Sequence, residues 1–461
     1  MKIMIRPGII VLLLISLVAC QTKESKPMKD AGKVHLITLD PGHFHAGLVQ
    51  KFMYDQVDPV VHVYAPGGPE LDDHLARINS YNTRTEQPTH WEEVVYTGPD
   101  FLEKMLAEKA GNVVVISGNN AKKAQYIDQS IGAGFNVLAD KPMAIRPEDY
   151  PVLEHAFATA EEKGVLLYDI MTERYEITTQ LQKALSHIPG LFGTMEQGTI
   201  DNPAITKESV HHYFKYVSGV PLIRPAWFFD VDQQGEGIVD VSTHLVDLVL
   251  WECFPDQAID TTEVQVEKGT RWATELTLAQ FRRVTGLNDY PDYLQKDLVK
   301  DSILSVYANG AIHFAVKGIQ AKVSVTWNYE APEGAKDTHY SIMRGSKANL
   351  VIRQGAAQHY HPMLYVEPID GSSAHLLEAP LVAAITSLQS VYPGIGFEPS
   401  DLGDGWQITI PDSYDVGHEA HFGQVTEHFL DYLSTGKLPD WEVPNMLTKY
   451  WVTTKGYAMS R

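Results

Sequence analysis

Two short segments of this chain carry residue types that acid/base chemistry needs. The first runs from Asp240 to Asp247 and contains His244. On a helix, side chains three and four apart share a face, so the spacing predicts that these two aspartates and the histidine project together toward one wall of a cleft. The second segment places Lys141 directly before a proline, at the end of an apolar run. A lysine that faces such a cluster across a cleft suits alcohol/carbonyl redox chemistry.

Each of these residues has a role in that chemistry and a structural alternative. Removing hydride from a secondary alcohol requires the hydroxyl proton to leave as the C–H bond breaks, and His244 is the predicted general base. A carboxylate at Asp240 or Asp247 can orient the imidazole or bind a neighbouring hydroxyl, while Lys141 can stabilise a developing alkoxide. However, a lone helical histidine is more often a packed or surface residue, and an aspartate near a helix start is often a stabilising charge.

The first half of the chain must position Lys141. Short apolar runs alternate there with helical patterns, which is the βαβ signature of a doubly wound parallel sheet. Residues 33–172 are therefore predicted to form a Rossmann-type dinucleotide-binding domain. Its predicted strands cover residues 34–39, 60–64, 113–116, 137–139 and 165–168.

The second half must position Asp240 and His244. Residues 173–461 are predicted to form an α+β domain with a large, mainly antiparallel open sheet and C-terminal helices. Asn309-Gly310, between two apolar runs, predicts a hairpin turn. The predicted strands are 194–200, 263–266, 302–308, 311–316, 322–327, 339–345 and 349–353, and the predicted helices are 175–186, 419–433 and 445–459.

The turn after the first strand is where a dinucleotide fold normally shows the sequence G-x-G-x-x-G. Here it reads Gly42-His43-Phe44-His45, in which only Gly42 is a turn glycine. These four residues are the candidate diphosphate-binding positions, because backbone amides at a helix start bind phosphate. An ordinary strand-to-helix turn remains the alternative. The second predicted strand ends without an acidic residue for the adenosine ribose, which leaves NAD or NADP open with a lean toward NAD.

The motifs together resemble those of the Gfo/Idh/MocA oxidoreductases. Asp140-Lys141-Pro142 stands where that family has Glu-Lys-Pro, and the pair Asp240 and His244 matches its Asp-x-x-x-His motif. The resemblance implies that Asp140 and Pro142 help to bind the cofactor. It also implies that Ser117 and Asn119 lie beside the nicotinamide ribose. An oligomer formed through the C-terminal sheet is a further implication.

The resemblance points to an exported, lipoprotein-type branch, some members of which oxidise glycosides at a ring hydroxyl. The leading expectation is an enzyme that moves hydride between NAD(P) and a sugar or glycoside hydroxyl. Because free cofactor is scarce outside the cytoplasm, it would have to be tightly bound. One alternative is redox-neutral glycoside cleavage, in which transient oxidation allows elimination. Another is a non-catalytic carbohydrate-binding lipoprotein that has lost the cofactor.

A segment rich in aromatic and hydrogen-bonding groups could form the sugar-binding wall. Tyr213, Arg224 and Trp227 are its candidate substrate-binding residues, together with Asp247. An aromatic core of the sheet domain is the equal alternative. Two histidine pairs, 43 with 45 and 418 with 421, lack the spacing of a known zinc site, so no metal is predicted.

The composition and the N-terminal segment limit the classes of function and the location that the protein can have. The chain has 461 residues, and its net charge of −21 argues against nucleic-acid binding. Residues 1–20 read as a signal peptide whose end, Leu17-Val18-Ala19-Cys20, resembles a bacterial lipobox, and residues 21–32 read as a tether. Lipidation of Cys20 would anchor the exported protein to a bacterial membrane, facing the periplasm. A plain secretory signal is the alternative.

Overall fold

The computed structural model describes residues 32–217, 220–300, 302–369 and 372–461. The predicted signal peptide, its Cys20 and nearly all of the predicted tether lie outside the described residues. In the part that is described, no helix is both long enough and apolar enough to cross a bilayer.

A six-stranded parallel sheet occupies the first part of the chain, as predicted. Its strand order is β3-β2-β1-β4-β5-β6, so the order reverses between β1 and β4. Ligands of such folds bind outside the carboxyl ends of the strands at this reversal. The elements are β1 (Leu36–Leu39), α1 (His45–Leu48), β2 (Val60–Ala65), α2 (Pro69–Thr83), β3 (Glu92–Thr97), α3 (Phe101–Glu108), β4 (Val113–Ile116), α4 (Asn120–Gly132), β5 (Asn136–Asp140), α5 (Asp149–Lys163) and β6 (Leu167–Ile170).

The central strands β1 and β4 are buried along their whole length and are almost entirely apolar, because both of their faces are covered. The edge strand β6 is also fully buried. Such continuous runs are typical of parallel sheets with helices on each side. The edge strand β3 has no buried residue, and its weak apolar pattern explains why the sequence did not predict it.

A ten-stranded, mainly antiparallel sheet forms the second part, which confirms the predicted fold class. Nine of its strands follow the order β10-β12-β13-β7-β14-β15-β16-β18-β17, and β11 pairs with β12. The elements are α6 (Ile177–Ser186), β7 (Ile205–Phe214), β8 (Tyr216–Val217), β9 (Val220–Pro221), α7 (Val231–Gln234), α8 (Ser242–Cys253), β10 (Val264–Thr277), α9 (Leu278–Thr285), β11 (Leu298–Val299), β12 (Ile303–Val316), β13 (Ile319–Glu330), β14 (Thr338–Arg344), β15 (Ala348–Gln354), β16 (Met363–Pro368), α10 (Glu378–Leu388), β17 (Gly396–Pro399), β18 (Trp406–Thr409), α11 (His418–Thr435) and α12 (Glu442–Met459).

The predicted hairpin turn at Asn309-Gly310 is wrong, because both residues lie inside the continuous strand β12. The Asn309 side chain is buried and fixes three strands: its Nδ2 donates to the Trp272 carbonyl at 3.0 Å, and its Oδ1 accepts from the Trp327 amide at 2.6 Å. Gly310 leaves room for Ile238, whose Cβ would lie 2.5 Å from any added Cβ. These tertiary contacts, rather than turn chemistry, account for the Asn-Gly pair.

The strand predicted at residues 194–200 is also absent from the structure, and β7 takes its place further along the chain. Burial alternates along the first half of β7, and the charged Lys207 occupies one of the buried positions, which interrupts the apolar pattern of the sequence. Its Nζ donates to Glu252 Oε1 at 2.8 Å, and both side chains are fully buried. A charged residue that pairs inside a core is invisible to a pattern search that expects apolar side chains there.

We expect Gly310→Ala to destabilise the protein by about 1–3 kcal/mol, since the new methyl group overlaps Ile238. The matched control is Gly132→Ala at the end of α4, where nothing lies within 4 Å of an added Cβ. Alanine there should stabilise the helix by about 0.4–1 kcal/mol. Denaturant unfolding of the three proteins measures both effects, and equal midpoints would contradict the close approach of Ile238.

Candidate functional site

The two sequence motifs meet at one ion pair. Lys141 follows β5 directly, and Asp240 lies in the turn before α8. The Lys141 ammonium donates to Asp240 Oδ1 at 2.6 Å, and the two side chains are 13% and 7% exposed. The second oxygen of Asp240 accepts from Gln234 Nε2 at 3.1 Å. The carboxyl edge of the first sheet is thereby joined to the start of α8.

His244 lies in the first turn of α8, close to this ion pair. Its ring is half-buried, and its Nδ1 is buried without a hydrogen-bond partner among the described residues. Burial, followed by the positive charge of Lys141, holds the pKa of His244 well below its usual value. The imidazole is therefore neutral near pH 7, the state in which it can accept a proton.

Lys141 remains charged. Burial alone would lower the pKa of Lys141, but the carboxylates of Asp240 and Asp140 outweigh that effect and raise it above its usual value. An ammonium that holds its proton can stabilise a developing negative charge, while it is a weak proton donor at neutral pH.

Asp247 does not join the cluster predicted for it. Both of its oxygens accept from the Arg174 guanidinium at 2.7 Å, and Lys449 also donates to Oδ1 at 2.9 Å. These contacts hold Asp247 in a buried ionic network with Glu442, which accepts from Arg174 at 2.8 Å. The predicted substrate-binding role of Asp247 is therefore replaced by a structural one, because its carboxylate is fully used within the protein.

Asp140 connects the end of β5 to the turn after β1. Its Oδ2 lies 3.0 Å from His45 Nδ1 and 3.9 Å from His43 Nδ1, and it accepts from Ser117 Oγ at 3.0 Å. Burial would raise the pKa of Asp140, but His45 and Lys123 hold it well below its usual value. Asp140 is therefore an ionised, buried carboxylate between two imidazoles.

The turn after β1 packs against the loop after β4. The amides of Gly42 and His43 donate to the Ser117 carbonyl at 3.2 and 3.4 Å. Asp40, the last residue before the turn, has a φ of 46°. Its carboxylate is held by the Tyr126 hydroxyl at 2.8 Å and by Lys122 at 3.5 Å.

The other predicted cofactor residues lie along the same edge. Asn119 caps α4 by accepting from the Ala121 amide at 3.0 Å, and its Nδ2 donates to Gln233 Oε1 at 2.8 Å. Pro142 is buried after a cis peptide bond with Lys141. Phe44 is 39% exposed in the turn after β1.

The predicted substrate wall is part of an aromatic core. Tyr213 and Trp327 are 1% and 8% exposed and stack at a ring-centroid distance of 5.3 Å. The Tyr213 hydroxyl is buried without a partner among the described residues. Arg224 donates to the Tyr213 carbonyl at 3.0 Å, and Trp227 is buried as well. Tyr213, Arg224 and Trp227 therefore support the site from within the core, which corrects their predicted contact with substrate.

Two residues near the cleft were not predicted from the sequence. Glu173 follows β6, and burial, followed by the charge of Glu176, raises its pKa to about 7, against the opposing charge of Lys141. His418 begins α11, and its ring centroid lies 5.6 Å from that of His45. Glu173 belongs to no motif, and His418 drew notice only as one of the histidine pair 418 with 421, so the fold alone brings the two residues to the site.

Residues 50–169 match the family described as "Oxidoreductase family, NAD-binding Rossmann fold", and residues 181–461 match "Putative oxidoreductase C terminal domain". The chain belongs to the Gfo/Idh/MocA oxidoreductases. It is also similar, at 57% identity with a TM-score of 0.90, to a solved "putative oxidoreductase" from Parabacteroides merdae, covering 93% of this chain and 98% of that one. No curated protein matches the chain significantly.

More distant Gfo/Idh/MocA-like structures share the fold alone. One is a 3-ketoreductase from Actinomadura kijaniata in complex with TDP-benzene and NADP, at 14% identity and a TM-score of 0.55, covering 93% and 98% of the two chains. Another is biliverdin reductase from Synechocystis in complex with biliverdin and NADP+, at 12% identity and a TM-score of 0.54, covering 92% and 98%.

The carboxyl edge of the first sheet suits the two halves of a nicotinamide dinucleotide unequally. Asn119 and Lys141 are partly exposed after β4 and β5, where the family resemblance places the nicotinamide, while Ser117 is buried. At the diphosphate end, the Gly42 amide is already bonded to the Ser117 carbonyl. The edge therefore offers polar groups to the nicotinamide half, while it provides fewer free amides for the diphosphate than a glycine-rich loop would.

We expect Asp247→Asn to destabilise the protein by at least about 3 kcal/mol, because Arg174 and Lys449 lose a buried counter-charge. The control is Asp440→Asn in the exposed pair with Lys437, which should change stability by less than about 0.5 kcal/mol. Denaturant unfolding midpoints measure both changes. Equal losses in the two variants would contradict the assigned network.

The same pair of variants carries a pH test. Burial opposes ionisation of Asp247, but Arg174 and Lys449 outweigh it, so the pKa of Asp247 lies below its ordinary value. A depressed folded-state pKa contributes stability above the unfolded value of about 3.9, and that contribution is lost as the pH falls through the folded pKa. The stability difference between wild type and Asp247→Asn should therefore shrink below about pH 4.

Proposed function

We propose that this protein is an NAD(P)-dependent oxidoreductase that transfers hydride between a bound nicotinamide cofactor and a ring hydroxyl of a sugar or glycoside. The observation that carries the proposal is the Lys141–Asp240 ion pair beside the neutral His244, at the carboxyl edge of the Rossmann sheet. It combines a cation for a developing alkoxide with a base for the hydroxyl proton.

His244 would take the proton of the reacting hydroxyl. Its buried Nδ1 has no partner among the described side chains, and its lowered pKa keeps the ring free of a proton at neutral pH. In the reductive direction the same ring would return that proton to the carbonyl oxygen. A base with a lowered pKa operates over a wider acidic range than an ordinary histidine.

Lys141 would bind the substrate oxygen as negative charge develops on it. Asp240 positions the ammonium through the 2.6 Å contact and is itself fixed by Gln234. Because the pair is mostly shielded from water, its field acts on the reacting oxygen more strongly than a surface charge would.

The cofactor would be held mainly at its nicotinamide end. When bound, it supplies the hydride acceptor or donor that the chain itself lacks. Asn119 is half-buried on the edge that would face it, and the buried Ser117, Asp140 and Pro142 lie beneath that edge. The segment from Gly42 to His45 borders the diphosphate end. Analysis of the released nucleotide distinguishes NAD from NADP.

The sugar part of the proposal rests on the reacting groups and on the family resemblance of their motifs. Lys141 and His244 suit a secondary hydroxyl, which sugar rings carry. Tyr213 and Trp327 are buried in an aromatic cluster beside Asp240 and support the site from within the core.

Release of nucleotide is the first test. The exported form of the protein is denatured, and the supernatant is analysed for NAD(H) and NADP(H). We expect about one equivalent per chain if the cofactor is tightly bound. If no nucleotide is released and none binds on addition, a carbohydrate-binding role remains. The amides after β1, which are already bonded to the Ser117 carbonyl, would then explain why no nucleotide binds.

Turnover of the loaded enzyme on a panel of glycosides is the second measurement. Lys141→Ala should reduce kcat/KM by about 10²–10³ and His244→Ala by about 10²–10⁴, since each removes a group that acts on the reacting oxygen. His375 is exposed, and His375→Ala serves as the control with unchanged kinetics. Full activity of either site variant would refute its role, and accumulation of a cleaved product in place of a keto-sugar would indicate the redox-neutral reaction.

The pH profile is a separate prediction. The acidic limb of kcat/KM should lie below about pH 6.5, the ordinary pKa of histidine.

We also propose that the protein is exported and anchored to a bacterial membrane through a lipid on Cys20. The support is the charged start, the short apolar run and the Leu17-Val18-Ala19-Cys20 ending. Cys20→Ser should move the protein from the membrane fraction to the soluble fraction of the producing cells. An unchanged distribution, with unaltered activity as the control for folding, would argue against the anchor.

A further inference from the structure

We propose that His43, His45 and Asp140 bind a divalent transition-metal ion of the zinc type. One ligand atom from each of these residues lies within 4.8 Å of those of the other two. His45 Nδ1 and His43 Nδ1 are 3.0 Å and 3.9 Å from the same carboxylate oxygen of Asp140. The three residues come from two distant parts of the chain, and the fold brings them together at the carboxyl edge of the first sheet.

The donor set suits such an ion. Zinc binds imidazole nitrogen and carboxylate oxygen at about 2.0–2.2 Å, so neighbouring ligand atoms in a tetrahedral site lie roughly 3.2–3.6 Å apart. The observed separations of 3.0 and 3.9 Å fall on either side of that range. Three protein ligands leave a fourth position open, which is the arrangement of a site that binds a further small ligand.

The surroundings fix two of the ligands and leave the third accessible. Asp140 and His45 are buried, while the His43 side chain is 20% exposed. Ser117 Oγ donates to the Asp140 carboxylate, and Lys123 donates to the Asp140 carbonyl at 2.8 Å, so the carboxylate is held in place by its neighbours. Outer contacts of this kind orient metal ligands.

Two ammonium groups lie near the site, and each has a partner other than the three candidate ligand atoms. Lys141, the next residue along the chain, is paired with Asp240, and Lys123 donates to the Asp140 backbone carbonyl. A hydrogen bond between His45 and Asp140 accounts for the position of His45 alone. The position of His43 is not explained in that way, because its Nδ1 lies 3.9 Å from the Asp140 carboxylate, beyond hydrogen-bonding distance. This nitrogen accepts only a long 3.3 Å hydrogen bond from the His45 amide. Metal binding would replace that hydrogen bond.

Direct titration with metal tests the site. The full chain, in its exported form, is freed of metal with a chelator and titrated with Co²⁺, whose visible spectrum reports four-coordinate nitrogen and oxygen ligation, and with Zn²⁺ by calorimetry. We expect one equivalent to bind. His43→Gln and Asp140→Asn should each weaken the dissociation constant by at least about tenfold.

The control variant is His375→Ala, an exposed histidine beside Glu378 and far from this cluster in the chain. It should bind both metals like the wild type. Circular dichroism and the unfolding midpoint establish that His43→Gln and Asp140→Asn are folded. Absence of saturable binding by the wild type, or equal binding by the two cluster variants and the control, would overturn the proposal.

Because bound metal is measured without substrate or nucleotide, the result is separate from the proposed oxidoreductase activity. Metal binding by a protein that releases no nicotinamide nucleotide would support the metal site and reject the cofactor. Nucleotide release from a protein that binds no metal would do the reverse.

Discussion

The contact between Lys141 and Asp240 is the constraint on which the site depends. It joins the end of a strand in the parallel sheet to the turn that starts α8 in the second part of the chain. Taking an ammonium and a carboxylate out of water is costly, and the 2.6 Å geometry with a further bond from Gln234 offsets that cost. The pair thus sets where His244 stands relative to the first sheet. Burial lowers the pKa of His244, and the positive charge of Lys141 lowers it further, so that the ring stays neutral.

A second buried ionic network supports the same region from behind. Arg174 and Lys449 hold Asp247, while Lys449 also contacts Asp169 at 2.7 Å, at the end of the last parallel strand. Helix α12 thereby ties α8 to the Rossmann sheet. The helix that carries His244 is fixed on one side by these charges and at its start by Asp240, so the position of the imidazole does not depend on loop packing alone.

The fold class and the residues that meet at the site could be predicted from the sequence, because both rest on local or strongly periodic signals. Continuous apolar runs revealed β1, β4 and β5, and the two motifs revealed Lys141, Asp240 and His244. What the sequence did not reveal depends on contacts over long distances. Asn309 was predicted to be a turn residue because the sequence does not show its contacts with the neighbouring strands. Strand β7 was missed because Lys207 occupies a buried position, and its partner Glu252 lies far along the chain on α8. Helical spacing placed Asp247 beside His244, but spacing cannot show that an arginine from another segment holds its carboxylate. The approach of Asp140 to two histidines is likewise a product of topology.

The bonds that join the loops after β1 and β4 have a mechanical consequence. The Ser117 carbonyl accepts from the amides of Gly42 and His43, and an added Cβ on Gly118 would lie 2.4 Å from the Asp40 carbonyl, so the two loops are in close contact. A shift of one loop must displace the other. A ligand that binds at this edge would therefore meet both loops as one unit.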